Sequence, residues 1–174
     1  MYSEIIDFLE TYLVKAITAE KIQTGYLGDF PNIDLRIPAV LLEPKTDKRE
    51  SSSTRWNKGD FLIRLWIMVP IDMDYKSSMK RIEKLLSASD DQWLDLMGEA
   101  LLQPAQPNGV QAALKKLKRL DEFSKMEGTM GGVAWRVGEK VVSYNNTTFS
   151  IQQRASERIN IAQIDLTVHL KVEV

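Results

Sequence analysis

Alternation of apolar and polar positions predicts two β-strands in this chain. Residues 161–174 (IAQIDLTVHLKVEV) carry an apolar side chain at every even position, which is typical of a half-buried strand. The stretch 60–70 (DFLIRLWIMVP) is instead apolar at both odd and even positions between 61 and 69, with Arg64 as the polar exception. Because only one face of a strand can meet the core of a small domain, the second apolar face needs a separate cover.

Helical periodicity marks four further segments. Apolar residues recur at intervals of three and four positions in the segments 3–20, 72–87, 89–102 and 110–126. This spacing places them on one side of an α-helix. The third and fourth segments together suggest a helical insertion at about 88–127.

A polar segment separates two apolar runs in the first half of the chain. The run 37–44 (IPAVLLEP) lies between two prolines and predicts a buried strand, and the run 60–70 predicts its antiparallel partner. The intervening residues 45–59 (KTDKRESSSTRWNKG) are charged and rich in serine. We expect either a long hairpin tip or a locally disordered, mobile loop there.

The order of these elements predicts the fold class. A helix, a strand, a long loop, a strand, several helices and final strands indicate an α+β fold. We expect a largely antiparallel mixed sheet with helices packed on one face and a long β-hairpin loop. A chain of 174 residues is suited to one domain, here residues 1–174, with a sizeable core. The pattern leaves open which face of the strand at 60–70 meets the helices.

Composition and charge narrow the function classes. The 23 Lys and Arg residues are offset by 24 Asp and Glu residues, which argues against a chain built to wrap nucleic acid or to bind acidic membranes. The absence of cysteine excludes disulfides and thiolate chemistry. No apolar stretch approaches the roughly 20 residues that span a bilayer, and the first residues do not resemble a signal peptide. We therefore expect a soluble, intracellular protein.

Catalytic and metal-binding motifs are weak in this sequence. The single histidine, His169, lies on the polar face of the last strand, and no G-x-S-x-G motif accompanies it. We expect a structural or surface role for His169, since a triad also needs a nucleophile and a carboxylate that converge on it. Asp72 and Asp74 fit a turn and a helix N-cap better than a metal site. The sequence therefore predicts no catalytic residue, no metal and no cofactor.

Two groups of residues are candidates for partner contact. The first is the strand at 60–70, where Trp66 belongs either to the core or to an interface, because buried aromatic residues dominate assembly interfaces. The candidate subunit or partner interface comprises Leu62, Arg64, Trp66 and Met68. The second group is the basic part of the polar segment, and its candidate residues are Lys45, Lys48, Arg49, Arg55, Trp56 and Lys58. Basic side chains of this kind bind acidic protein surfaces as well as nucleic acid.

The layout resembles that of the tail terminator, or tail-completion, proteins of long-tailed bacteriophages and related particles. The resemblance is carried by an N-terminal amphipathic helix, "IPAVLLEP", a long polar loop, "GDFLIRLWIMVP", the helical "DYKSSMKRIEKLLSA" and the final "NIAQIDLTVHLKVEV". It covers about residues 1–87 and the terminal strand. It is a resemblance of pattern, without signature residues.

The resemblance implies a structural role in the virion neck. Members of that family form a ring, typically a hexamer, that caps the tail tube, ends its polymerisation and joins the head connector. The implied partners are other copies of the chain, the tail tube protein and the connector, with DNA passing through the lumen unbound. Assembly would take place in the host cytoplasm. The alternatives are a head-closure or adaptor protein, a small enzyme with a scattered site, and a nucleic-acid-binding module.

Overall fold

A seven-stranded sheet with helices on one side forms the framework of the protein. The computed structural model describes residues 1–16, 23–26, 39–51, 55–72, 74–87, 110–144, 147–154 and 157–174. Within these ranges the helices are α1 (Tyr2–Ala16), α2 (Tyr75–Ser87), α3 (Val110–Leu117) and α4 (Asp121–Ser124). The strands are β1 (Gln23–Tyr26), β2 (Ala39–Ser51), β3 (Trp56–Pro70), β4 (Glu127–Met130), β5 (Val133–Tyr144), β6 (Thr148–Arg154) and β7 (Glu157–Glu173). The predicted α+β class is confirmed.

The strand order places the last strand at the centre of the sheet. The order is β1-β2-β3-β7-β5-β4, and β6 also pairs with β7. Only β1 and β2 run parallel among these pairs, and all the others are antiparallel. The sheet is thus largely antiparallel but mixed, as predicted. One edge of β7 pairs with β3 along its length, while the other edge pairs first with β6 and then with β5.

The odd-numbered positions of β3 face the helices. Ile63, Leu65, Ile67 and Val69 are completely buried in the main core, where side chains of α1, α2 and α3 also pack. The even positions of β7 from Ala162 to Val172 join the same core, because pairing in register places them on the same side of the sheet. This arrangement resolves the choice between the two faces of β3 that the sequence leaves open.

One end of the second apolar face of β3 is buried. Met68 is buried in a small separate cluster with Leu41, Ile159 and Ile161. Trp66 packs against this cluster from one side and remains partly exposed. One end of the second face is therefore buried within the chain itself, and the remainder, around Leu62, is accessible to solvent.

Of the two alternatives for residues 45–59, the structure has the long hairpin over most of that segment and not the mobile loop. Strand β2 continues to Ser51 and β3 begins at Trp56, and the two arms pair from Thr46–Leu62 to Ser51–Asn57. Residues 52–54, at the tip, lie outside the described residues. The arms are ordered because β7 pairs with the other edge of β3 and because Tyr2 of α1 hydrogen-bonds to Asp47 on β2. Polar composition indicates disorder only where no such neighbour is available.

The predicted helical insertion is described only in part. Helices α3 and α4 lie inside the predicted helix at 110–126, interrupted by a turn, and β4 begins at Glu127. The helix expected at 89–102 lies outside the described residues. Helix α3 is tied to α1 by the Tyr12 hydroxyl, which donates to the Ala113 carbonyl at 2.7 Å. Burial at this contact raises the pKa of Tyr12 to about 12.

A pair of leucine substitutions tests which face of β3 supports the fold. Leu65→Ala removes a fully buried side chain from the main core, so we expect it to lower the free energy of unfolding by about 2–5 kcal/mol. Leu62→Ala, on the partly exposed face, should cost about 1 kcal/mol or less. Urea unfolding followed by far-UV circular dichroism measures both, and equal losses would show that the faces are assigned wrongly.

Candidate functional site

The sheet face opposite the helices carries the residues that the sequence analysis selects as an interface. We call it the open face and define it by Lys58, Asp60, Leu62, Arg64 and Trp66 of β3 together with the residues that pair with them. Leu62, Arg64 and Trp66 lie side by side on this face and are each partly exposed. Met68 points the same way but is 1% exposed, so it is covered within the chain and does not contribute to the accessible surface.

Arg64 lies between two carboxylates because of the strand register. It pairs with Glu43 on β2 and with Asp165 on β7. Its guanidinium donates to both oxygens of Asp165, at 2.8 Å and 3.3 Å, which is the two-point geometry of a strong ion pair. The hydrogen bond to Asp165 raises the pKa of Arg64 above its ordinary value. The guanidinium carbon also lies 5.5 Å from the ring centroid of Trp66, within reach of a cation–π interaction.

Glu43, on the neighbouring strand β2, also fixes the position of the Trp66 side chain. Its carboxylate accepts a hydrogen bond from the indole Nε1 of Trp66 at 2.7 Å and one from Lys45 at 2.6 Å. Burial by itself would raise the pKa of Glu43. The hydrogen bonds from Lys45 and Trp66 and the charges of Lys45 and Arg64 outweigh burial, so the pKa is lowered below its ordinary value. Trp66 is therefore fixed in one orientation with part of its ring at the surface.

The basic residues of the hairpin arms are mostly matched by carboxylates. Lys45 pairs with Glu43, Lys48 with Glu50 at 3.4 Å, Arg49 with Asp47 at 2.8 Å, and Arg55 with Glu173 at 3.1 Å. Lys58 is exposed on the open face. The arms thus present alternating charges instead of the continuous cationic strip that phosphate backbones attract.

Trp56 is engaged by two arginines at the start of β3. The guanidinium carbon of Arg136 lies 4.7 Å from its ring centroid, and that of Arg55 lies 5.7 Å away. Its backbone partner on β7 is Glu173. The structure therefore places Trp56 beside the C-terminal end of β7 and away from Trp66, so the two tryptophans do not form one aromatic surface.

Two polar side chains lie within hydrogen-bond distance of His169. Its Nδ1 lies 2.7 Å from Oδ1 of Asp60, and its Nε2 lies 3.1 Å from Oγ of Ser143. The sequence does not show that these two groups meet at the histidine, and the structural or surface role expected for His169 stays a prediction. Asp60 pairs directly with His169 across β3 and β7, whereas Ser143 is brought close by β5, whose register shifts between Val137 and Val142. Alternation indicates that these residues are polar-facing, but the sequence carries no signal for that shift.

Two adjoining cavities open beside His169. One has a volume of about 340 Å³ and is lined by Lys58, Gly59, Asp60, Gly138, His169, Leu170 and Lys171. The other has a volume of about 500 Å³, and its lining includes Lys125, Glu127 and Arg136. Both share Gly138 and Lys171. Their walls carry more cationic than anionic side chains, in a chain whose net charge is −1.

Two site types find no support in the described part of the chain. No group of three His, Asp or Glu side chains in these ranges could hold a metal ion. Asp74 instead accepts from the backbone N–H of Ser77 at 2.8 Å at the start of α2, which confirms the predicted N-cap. None of the helices in the same ranges combines the length and apolar character that crossing a membrane requires.

Comparisons with known proteins assign no family. No protein-family model matches the chain, and no curated protein matches its sequence. One solved structure is 14% identical over 95% of this chain and 94% of its own, with a TM-score of 0.32. This TM-score is too low to support a conclusion about fold or function.

Lowering the pH tests the contribution of Glu43. Because its pKa is lower in the folded than in the unfolded chain, its ionised form stabilises the fold. That contribution is complete above the unfolded-state pKa and is lost as the pH falls through the folded-state pKa. We expect Glu43→Gln to cost up to about 1 kcal/mol at pH 7, and the difference from wild type to narrow as the pH falls below the ordinary value of 4.5.

Chemical unfolding at several pH values measures that difference. Glu50→Gln is the matched control, because Glu50 is on the same strand but its side chain is 68% exposed, and we expect a smaller effect. A Glu43→Gln deficit that stays constant down to the acid transition would contradict the assignment.

Proposed function

We propose that this chain is a structural component of the neck of a long-tailed phage or phage-like particle, and specifically a tail terminator. In this role several copies, typically six in the family that the sequence pattern resembles, close into a ring that caps the tail tube, ends its polymerisation and joins the connector. The proposal is supported by the sequence pattern that resembles this family and by the α+β fold that the pattern implies. The observation that carries it is the open face with its fixed, partly exposed Trp66.

The open face has the properties of an assembly surface. Leu62 and Trp66 provide apolar contact area, and the hydrogen bond from Trp66 to Glu43 fixes the indole before any partner arrives. A side chain that is already ordered loses less conformational entropy on binding. Large aromatic residues supply much of the binding energy at interfaces. A patch that meets a different patch on the next copy generates a ring when the rotation closes.

The hairpin arms are suited to the second contact of such a ring. Lys48 and Glu50 are exposed along β2, and Arg49 is 38% exposed although its partner Asp47 is largely buried. Complementary charge patterns select partners and orientation more than they add affinity. We therefore assign the arms to contact with the tail tube protein or the connector. The near-neutral chain is consistent with DNA passing through the lumen unbound, in a virion component assembled in the host cytoplasm.

The absolute mass in solution tests this proposal. Light scattering on a size-exclusion column, over a range of concentrations, should show the 19.9 kDa chain associating toward a closed ring. Trp66→Glu should lower the association constant at least about tenfold, because it places a charge in the desolvated centre of the interface. Val133→Glu, which also adds a charge at an exposed apolar position but on another strand, is the control and should leave the mass unchanged.

Two outcomes would contradict the proposal. A chain that stays monomeric at every concentration favours an adaptor that binds a preformed connector. If Trp66→Glu and wild type have equal association constants and matching melting curves, Trp66 does not lie in the interface.

A further inference from the structure

Three side chains from adjacent strands form a hydrogen-bonded chain on the open face. Ser143 of β5, His169 of β7 and Asp60 of β3 follow one another through contacts of 3.1 Å and 2.7 Å. The order is hydroxyl, imidazole and carboxylate. This is the arrangement in which a serine nucleophile is activated by a base that a third group orients, and it recurs on unrelated folds.

The strand pairing holds these groups in place. Asp60 and His169 are direct cross-strand partners, and Ser143 pairs with Thr167, two positions from His169 on the same side of β7. Such diagonal neighbours are within reach of each other's side chains. All three residues lie in regular strands, so their backbones are fixed before any ligand arrives.

The hydrogen-bond partners determine the tautomer of the imidazole. The Asp60 carboxylate can only accept, so Nδ1 of His169 carries the proton and donates it. Nε2 is then left as an acceptor for the hydroxyl of Ser143. This is the tautomer that a general base requires.

The smaller cavity borders two of these three groups, whereas Ser143 lies outside its wall and is itself partly exposed. The cavity has a volume of about 340 Å³, and both Asp60 and His169 lie in its wall. Gly138 keeps β5 close to β7 there, because a Cβ at that position would lie 3.3 Å from the His169 carbonyl oxygen. Lys58 and Lys171 add positive charge to the lining. The size and charge suit a small ligand with an anionic group.

We propose that Ser143 is a nucleophile toward small anionic acyl esters, with His169 as its general base and Asp60 as the positioning residue. The Ser143 hydroxyl gives its proton to Nε2 of His169 while Oγ bonds to the acyl carbon. The ester C–O bond then breaks, and the leaving alcohol takes the proton from Nε2. Water hydrolyses the acyl-serine by the same route and restores the hydroxyl. The three groups lie on the open face that the proposed ring covers, so we expect this activity of the unassembled chain.

Covalent labelling tests the nucleophile directly. A fluorophosphonate should react with Ser143 so that the Oγ–P bond forms and fluoride leaves, and intact-mass and peptide analysis should locate one adduct there. Ser143→Ala should abolish it. Ser150→Ala is the matched control, because Ser150 is exposed on the same side of the sheet and pairs with Ile161 instead of lying beside His169. Absence of an adduct, or an equal adduct on Ser143→Ala, would overturn the proposal.

The roles of His169 and Asp60 are tested by labelling kinetics. His169→Gln should lower the maximal labelling rate constant at least about 100-fold, since general-base catalysis contributes roughly that much or more. Asp60→Asn should lower the same rate constant without changing the concentration of probe at half-maximal rate, and Asp60→Glu should restore part of it. Melting curves verify that each variant is folded. Unchanged rates in folded His169→Gln would overturn the assignment of the base.

Ester preference tests the ligand class. The p-nitrophenyl half ester of succinate should acylate the protein faster than p-nitrophenyl acetate, with a burst of nitrophenol of one equivalent. Lys58→Gln should reduce this preference, because it removes one positive charge from the cavity wall. A preference for acetate that Lys58→Gln does not alter would overturn the assignment to anionic esters.

Discussion

Backbone pairing along β7 is the constraint on which the other elements depend. This strand bonds to β3 on one edge and to β6 and then β5 on the other, so it joins the hairpin of β2 and β3 to the rest of the sheet. A shift of one residue would turn every side chain of β7 to the opposite face. The row of buried even positions, which packs with the helices, prevents such a shift because it would expose the core to water.

The same register organises the open face. Pairing across β2, β3 and β7 places Arg64 between Glu43 and Asp165, and it places Asp60 opposite His169. The positions of the ionic groups on this face therefore follow from the strand register, which packing on the opposite, apolar face stabilises. The helix-bearing face supplies the stability, and the opposite face is left to present Trp66, the charged arms and the cavities beside His169.

Individual helices and strands show which parts of the fold could be predicted from the sequence. The helices α1, α2 and α3 and the strand β7 follow from periodicity, because each has one continuous apolar side, whereas the first part of β2 and most of β3 follow from short apolar runs. For the hairpin arms the sequence left a long hairpin and a disordered loop open, because composition shows that a segment is polar but not whether a neighbouring strand pairs with it. The candidate interface at Leu62, Arg64 and Trp66 does share one face, whereas Met68 is buried by Ile159 and Ile161 from a distant part of the chain.

The sequence by itself determined the fold class, the apolar side of each long element and the polar side of β7. These depend on local periodicity, which a chain carries in its own order of residues. Only the tertiary structure decided which face of β3 meets the helices, that Met68 is covered within the chain, and that Ser143 and Asp60 meet His169. Those contacts depend on strand order and on the register shift in β5, which arise from the packing of segments far apart in the chain.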